Sequence, residues 1–192
     1  MAVQFRPASK VRVEMLHEFP NLANSNWFIK SPYNDKYRCI TWAACRTDRL
    51  MWPHRDYWWF PGLPLAAIDV EAPVEYFVQG FKLLGYEPCE SRAFEFGYQK
   101  VAIYANDLGA THMARQHFWG RGWLSKPGKL EDILHHQLED VEGNMSRSAG
   151  EYGRVAQVLR RSWWVALRFG LLRGWWAALK FWLYRKLHPS WT

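Results

Sequence analysis

The distribution of charge divides the chain into two parts before any fold is considered. Residues 152–192 contain eight Lys and Arg and no Asp or Glu, whereas the remaining residues carry seventeen basic and eighteen acidic side chains. The body therefore has the near-neutral balance of an ordinary globule, and the net charge of +7 belongs to the C-terminal end. This asymmetry points to an anionic partner for that end, either a membrane or a nucleic acid.

Length and composition fit one packed domain with an appendage. The chain has 192 residues, of which 49% are hydrophobic, so a packed core is expected and wholesale disorder is excluded. We predict a polar arm with a short strand at 1–18, an α+β domain at 19–161 and a basic Trp-rich helical tail at 162–192. Three cysteines without a Cys-x-x-Cys pair argue against a disulfide framework. The N-terminus lacks the apolar run of a secretory signal, which predicts a cytosolic body.

The spacing of hydrophobic residues and the positions of turn and capping residues predict the helices and strands of the α+β domain. The compact apolar run at 39–44 predicts a short buried helix that begins near Cys39. Apolar residues recur at helical spacing over 69–84, where Asp69 is the expected N-cap. Residues 130–138 are expected to be helical or irregular. Strands are predicted at 86–89, 99–105, 111–118, 123–126 and 154–159.

A cysteine that opens an early helix and a histidine on a later strand form the order that a papain-like cysteine hydrolase needs. A thiol at a helix start gains thiolate character from free backbone N–H groups, and a strand histidine can accept and return its proton. Cys39 and His112 would be this pair. A third side chain would hold the imidazole in its working tautomer, and the sequence leaves Gln116, Ser125 and Asp132 open. The alternative is a buried apolar cysteine and a structural histidine.

Several motifs occur together in a fixed order. They are Arg38-Cys39-Ile40-Thr41-Trp42-Ala43, the Trp-Pro loop at 52–64, Thr111-His112-Met113-Ala114-Arg115-Gln116, and Trp123-Leu124-Ser125-Lys126-Pro127-Gly128. In these motifs the chain resembles a bacterial domain family of unknown function over about residues 19–161. The resemblance implies a papain-like α+β fold in which the cysteine helix packs on a small antiparallel sheet. The family's usual Asn before the cysteine is Arg38 here, and its usual Ala two residues after the cysteine is Thr41, so an inactive member is an alternative.

Polar residues around His112 are further candidates for the site. Arg115, Gln116, Ser125 and Lys126 can bind a substrate carboxylate or steady an oxyanion, although for Arg115 alone the sequence favours a solvated strand face. The Trp-Pro loop either walls a cleft that stacks the substrate or fills the core of the domain itself.

A metal site is the rival chemistry at this end of the domain. Five N/O ligands occur within 25 residues, but they lack the His-x-His or His-x-x-x-His spacing that places ligands on one face. They are His112, His117, Asp132, His135 and His136. The sequence therefore predicts neither a metal nor a cofactor.

The tail has the composition of an interfacial membrane helix. Its longest uncharged runs are six residues, against the roughly 20 needed to span a bilayer. Basic stems can snorkel to anionic lipid while Trp rings occupy the headgroup region, and the charges are too dilute among apolar residues for nucleic acid. The alternatives are docking into a membrane-protein complex and packing on its own domain. The residues expected to make the contact are Trp163, Trp164, Arg168, Arg173, Trp175, Trp176, Lys180, Trp182, Arg185 and Lys186.

Two functions follow from these features. The first is a cysteine hydrolase of amide or ester bonds, held as a peripheral protein at the cytoplasmic face of the membrane by its tail. The second is a non-catalytic accessory subunit whose tail docks onto a membrane or into a membrane-protein complex.

Overall fold

A computed structural model describes residues 6–65, 72–144 and 151–168. The helices within these ranges are α1 (Ala8–Glu18), α2 (Cys39–Ala43), α3 (Val74–Lys82) and α4 (Trp163–Arg168), with 3-10 turns at Pro20–Asn24 and Leu138–Val141. The strands are β1 (Phe28–Ile29), β2 (Glu87–Cys89), β3 (Tyr98–Ala105), β4 (Ala110–Gln116), β5 (Trp123–Ser125), β6 (Ile133–His135), β7 (Gly143–Asn144) and β8 (Glu151–Ser162). Helices and strands are both present, so the α+β class is confirmed.

One antiparallel sheet organises the domain. Its strands follow the order β1-β6-β5-β4-β3-β8-β2, and β7 pairs with the start of β8. The long strands β3 and β8 pair over most of their length and form the centre of the sheet. The β4–β5 pairing covers Ala114–Gln116 and stops short of Met113. This short pairing leaves room beside Met113 for the start of α2, which packs on β4.

Both faces of the sheet are covered, because alternate residues of β3 enter different cores. Val101 and Ile103 join a cluster that contains Ile40 of α2 and Phe77 of α3, which we call the α2/α3 face. Ala102 and Tyr104 join a second cluster formed with α1 and the two 3-10 turns, which we call the α1 face. The domain is thus a sheet between two helical layers.

The Trp-Pro loop contributes to the core of the α2/α3 face. Trp59 and Phe60 are buried there, and Trp59 packs edge-on against Phe77 of α3 with ring centroids 5.6 Å apart. Gly80 of α3 allows this approach, since a Cβ at that position would lie 2.6 Å from the Phe60 ring. For Trp59 and Phe60, the interpretation that the loop fills the core of the domain is therefore correct.

Two expectations from the sequence are wrong. The arm contains a helix, α1, and no strand in its described part, because Val11 and Met15 lie one turn apart and both enter the α1-face core. The segment 130–138 contains a strand, β6, which pairs with β5 and β1, and its apolar and histidine residues are buried between neighbours.

The other predicted elements are confirmed where they can be compared. Helix α2 begins at Cys39, the predicted strands correspond to β2–β5 and β8, and α3 lies within 69–84. Asp69, the expected cap, lies outside the described residues. So do the tail residues Arg173, Trp175, Trp176, Lys180, Trp182, Arg185 and Lys186, whereas the first turn and a half of the predicted tail helix is α4.

Candidate active site

His112 lies at the centre of a buried hydrogen-bonded chain on the α1 face. Its Nε2 is 3.1 Å from Ser125 Oγ on the adjacent strand β5. Ser125 Oγ is in turn 2.8 Å from Nε2 of His135 on β6, and His135 Nδ1 is 2.6 Å from the carbonyl oxygen of Gln137. His112, Ser125 and His135 are each at most 1% exposed. Three neighbouring strands thus place one side chain each in a single line.

The proton positions in this chain follow from its last member. A carbonyl oxygen only accepts, so His135 Nδ1 carries the hydrogen and donates to Gln137. His135 Nε2 is then an acceptor for the Ser125 hydroxyl, and Ser125 Oγ accepts from His112 Nε2–H. His112 Nδ1 therefore carries a lone pair and no hydrogen. This nitrogen is buried and has no hydrogen-bond partner within the described part of the chain.

Both imidazoles are neutral at physiological pH. Burial lowers the pKa of His135 to about 4. Burial, with a smaller contribution from His135, holds the pKa of His112 well below its ordinary value. The tautomers deduced from the hydrogen bonds are consequently those present at pH 7, and His112 Nδ1 is available as a base.

Cys39 lies at the open edge of β4, next to the strand residue that follows His112. The backbone N–H groups of Met113 and Ile40 face the thiol and favour its ionised form. Burial nevertheless dominates and raises the pKa of Cys39, whose side chain belongs to the core of the α2/α3 face. The resting thiol is therefore protonated, contrary to the thiolate character expected from a helix start and from Arg38. The charge of Arg38 lowers the pKa of Cys39 without reversing the effect of burial, and its Nη1 contacts the carbonyls of Asp35 and Tyr37, at 3.1 and 3.3 Å.

Cys39 and His112 belong to opposite faces of the sheet, since Cys39 packs in the core of the α2/α3 face and the Tyr152 ring beside His112 packs in the core of the α1 face. The His112 ring stacks on Tyr152 with centroids 4.2 Å apart and planes 10° from parallel. Burial and then the nearby Cys39 thiol raise the pKa of Tyr152, so Tyr152 lies within electrostatic range of Cys39 while touching His112. No hydrogen bond joins the Cys39 thiol to the described atoms of His112. The Cys39 thiol thus meets the β4 backbone at Met113, and His112 is the residue before Met113 in the chain.

Of the three candidates for a third member, only Ser125 bonds to His112. Asp132 accepts a 2.8 Å hydrogen bond from the Tyr37 hydroxyl and lies 3.8 Å from Lys126 Nζ. Gln116 donates to the carbonyl of Arg92 at 3.1 Å. The chain order alone could not choose among them, because that choice depends on the register of β4 against β5.

The basic candidates are buried and occupied elsewhere. Lys126 Nζ contacts the carbonyl of Leu130 and lies 5.0 Å from the centroid of the Tyr37 ring. Arg115 is 8% exposed and contacts the thiol of Cys45 at 2.8 Å, so the expected solvated strand face is wrong for this residue. Its side chain points to the α2/α3 face, on the side of the sheet opposite the His112 ring.

The sequence did not identify two members of this site, His135 and Tyr152. His135 was grouped only with metal ligands because the strand β6 that carries it was not predicted. Tyr152 lies two residues before the predicted last strand, and its contact with His112 depends on β8 extending beyond β3. Among the described residues, no three His, Cys, Asp or Glu side chains are arranged to hold a metal ion.

Comparison with protein families places this site in a known sequence family. Residues 28–160 match the domain of unknown function DUF7689. The chain belongs to this family. The DUF7689 region includes Cys39, Cys45, His112, Ser125 and His135, whereas α1 precedes it and α4 follows it.

Other comparisons add no relative to the DUF7689 assignment. No curated protein and no solved structure matches the chain. Within the described ranges, every helix is too short or too polar to cross a bilayer.

Proposed function

We propose that this DUF7689 domain is a papain-like cysteine hydrolase of amide or ester bonds, with Cys39 as nucleophile and His112 as general base and acid. The observation that carries the proposal is the buried, unprotonated and unpartnered Nδ1 of His112, on the residue adjacent to Met113, whose N–H faces the Cys39 thiol. A structural histidine is expected to satisfy both ring nitrogens when it is buried. General-base catalysis requires a free lone pair on a side chain that can reach the thiol, and His112 Nδ1 is a free lone pair on the strand that borders Cys39.

The two neutral groups define the chemical step. As the sulfur of Cys39 forms a bond to the substrate carbonyl carbon, its proton passes to His112 Nδ1. The proton then passes to the departing amine or alcohol as the carbon–heteroatom bond breaks, which leaves a thioester on Cys39. Water attacks the thioester with the same proton transfers, releasing the acid and the free thiol. Ser125 and His135 hold the His112 tautomer throughout, so we assign them as positioning residues.

A small activated ester tests this proposal, because Cys39 is only 8% exposed and a large probe would not reach it. The full chain is mixed with p-nitrophenyl acetate, and intact-protein and peptide mass spectrometry then locate the acetyl group. We expect acetylation of Cys39 that is lost in Cys39→Ala and strongly slowed in His112→Phe. Cys89→Ala, which removes a half-buried thiol far from His112, is the matched control and keeps the reaction. Acetylation that avoids Cys39, or that is equally fast without His112, would overturn the proposal.

A second candidate function rests on an aromatic cluster at the base of the tail, formed by Phe96, Phe118, Trp119, Trp163 and Trp164. Trp163 of α4 contacts the Phe96 and Phe118 rings at 4.9 and 4.5 Å between centroids. Phe96 is 75% exposed, Trp119 63% and Trp164 82%. Exposed aromatic rings in contact with one another are typical of interaction surfaces. This cluster leads directly into residues 169–192, which are basic, rich in Trp and without acidic side chains.

We therefore propose that the aromatic cluster and the tail dock the domain onto an anionic membrane surface, a role that needs no chemistry at Cys39. The test is co-sedimentation of the full chain with vesicles of phosphatidylglycerol and phosphatidylcholine, compared with phosphatidylcholine alone. We expect binding to the anionic vesicles, and weaker binding for Phe96→Ser and Trp164→Ser. Equal binding of these variants would remove the cluster from the docking surface. The absence of binding to either vesicle would contradict lipid docking and favour a membrane-protein partner.

A further inference from the structure

Cys45 lies two residues beyond α2 in an unusual backbone and side-chain environment. It is 5% exposed, and with φ of 59° it is the one described residue other than glycine in the left-handed region. Three nitrogen atoms converge on its sulfur: Arg115 Nη1 at 2.8 Å, Gln99 Nε2 at 3.0 Å and Arg161 Nη2 at 3.8 Å. These three partners belong to the central strands β4, β3 and β8.

Every one of these contacts requires the sulfur to accept. A guanidinium has no acceptor, so both arginines can only donate. The Gln99 amide is oriented by its oxygen, which receives Arg161 Nε and Nη2 at 3.0 and 2.6 Å and lies 3.1 Å from the Tyr86 hydroxyl. Its NH₂ group must therefore point at Cys45. Among the described residues, a thiol proton would have only the carbonyl of Ala43, 4.0 Å away, as an acceptor.

Within the described part of the chain, the two arginines also lack another counter-ion. Arg115 is 8% and Arg161 1% exposed, and their guanidinium groups lie over the Trp42 and Tyr86 rings at 4.4 and 4.3 Å. Neither arginine forms an ion pair with a carboxylate of the described residues. Asp132 is within electrostatic range of Arg115, but it is bonded to Tyr37. Buried charges are otherwise almost always paired, because an unpaired one loses its hydration without compensation.

We propose that Arg115, Arg161 and Gln99 form a buried anion site whose resident anion at neutral pH is the thiolate of Cys45. The negative charge neutralises part of the excess positive charge at the centre of the sheet. Because Cys45 lies two residues beyond α2, its hydrogen bonds also connect the end of that helix to β3, β4 and β8. The low exposure of the sulfur makes this thiolate a structural group, so the inference is independent of hydrolysis at Cys39.

The groups that face the sulfur give the site a defined response to pH. Burial is the largest influence and raises the pKa of Cys45, but the charges of Arg115 and Arg161 and the hydrogen bonds from Gln99 and Arg115 together hold that pKa below its ordinary value. Burial raises the pKa of Tyr86, which stays neutral, and Gln99 does not titrate. Protonation of Cys45 on acidification therefore removes the negative charge of this cluster.

The direct test is the ultraviolet absorbance of the thiolate in the native full chain at pH 7, compared with the same protein unfolded in urea. We expect absorbance equivalent to one thiolate when folded, its loss on unfolding, and its absence in folded Cys45→Ser. Folded Cys89→Ser is the control and retains it. If the folded chain has no more thiolate than the unfolded chain, the proposal is wrong.

A second measurement tests the site as an anion site without relying on one variant. Cys45→Asp restores a negative charge, so its thermal midpoint is expected above that of Cys45→Ser. Cys45→Ala leaves the donors without an anion, and chloride is expected to raise its midpoint more than that of the wild type at equal ionic strength. An Asp variant less stable than the Ser variant, together with no chloride effect specific to Cys45→Ala, would contradict the proposal.

Discussion

Cys39 and Cys45 are six residues apart and almost equally buried, yet the protein shifts their acidity in opposite directions. Burial raises the pKa of Cys39, and the N–H groups beside it do not offset this effect. Burial also raises the pKa of Cys45, but Arg115 and Arg161 reverse the outcome. The position of a cysteine on a helix is therefore a weak guide to the ionisation of its thiol. Charged partners brought by distant strands decide it.

Different charge states suit the two cysteines to different roles. A neutral thiol beside a neutral imidazole can react only when a substrate draws the proton to His112, so Cys39 would remain unreactive until a substrate binds. A buried thiolate held by two guanidinium groups stabilises the fold and is shielded from electrophiles. If the two regions differ as proposed, substitutions in them should change stability and reactivity by different amounts.

The largest effect is expected from Arg161→Met, which keeps an unbranched apolar stem and removes one cation from the Cys45 site. Breaking a buried charge pair by removing one partner typically costs about 3–5 kcal/mol, and Arg161 also donates to Gln99 and to the carbonyl of Leu84. Urea unfolding measures the loss. Arg160→Met is the matched control, since Arg160 pairs at the surface with Glu87 and Glu95 and its loss is expected to change stability far less. Similar losses for both variants would contradict a special role for Arg161.

Ser125→Ala is expected to have the next largest effect, because it leaves Nε2 of both His112 and His135 without a partner. An unsatisfied buried group costs about 1–3 kcal/mol, which urea unfolding measures. The variant should also slow acetylation of Cys39, since His112 can then adopt the other tautomer. Ser9→Ala, on the exposed face of α1, is the control for stability and is expected to stay within about 0.5 kcal/mol of the wild type. Normal acetylation in Ser125→Ala would remove Ser125 from the positioning role.

The pH dependence of stability should carry opposite signs for the two thiols. The folded pKa of Cys45 lies below its unfolded value, so its contribution is complete above about pH 9 and declines as pH falls toward the folded pKa. The folded pKa of Cys39 lies above its unfolded value, so its contribution is lost as pH rises above about 9. Each thiol can contribute a slope of at most about 1.4 kcal/mol per pH unit.

Urea unfolding of the wild type, Cys45→Ser and Cys39→Ala across pH 6–10 separates these contributions. The difference in unfolding free energy between wild type and Cys45→Ser should increase with rising pH. At alkaline pH, the unfolding free energy of Cys39→Ala should rise relative to that of the wild type. Parallel curves for the three proteins would show that neither thiol has a shifted pKa.

The smallest effect is expected from Cys89→Ala. Cys89 lies on the edge strand β2, half-buried, and contacts the carbonyl of Ser91 at 3.6 Å. Surface substitutions of this kind usually change stability by less than about 0.5 kcal/mol. A loss as large as that of Cys45→Ser in urea unfolding would mean that removal of any cysteine side chain, rather than of an ionised one, explains the effect.

The sequence predicts the elements better than their contacts. Helix α2, helix α3 and the strands around His112 follow from apolar runs and turn residues, which act locally. The bond of His112 to Ser125 depends on register between strands, and the burial of Arg115 depends on which face of β4 meets α2. The Cys45 site joins Cys45 to residues of three strands that are up to 116 positions away in the sequence. No local sequence pattern can therefore predict it. His135 was missed for a related reason, since a three-residue strand has little periodicity.

The most direct test of the contrast between the two thiols is a pH titration of the native chain with ¹³C-labelled cysteine, followed by NMR of the Cβ signals. Single substitutions at positions 39, 45 and 89 assign the three resonances. We predict that the Cys45 signal has the chemical shift of a thiolate at pH 7 and changes only on acidification. The Cys39 signal is expected to keep the chemical shift of a thiol up to alkaline pH. A Cys45 signal that titrates as an ordinary thiol, or a Cys39 signal already ionised at pH 7, would contradict this prediction.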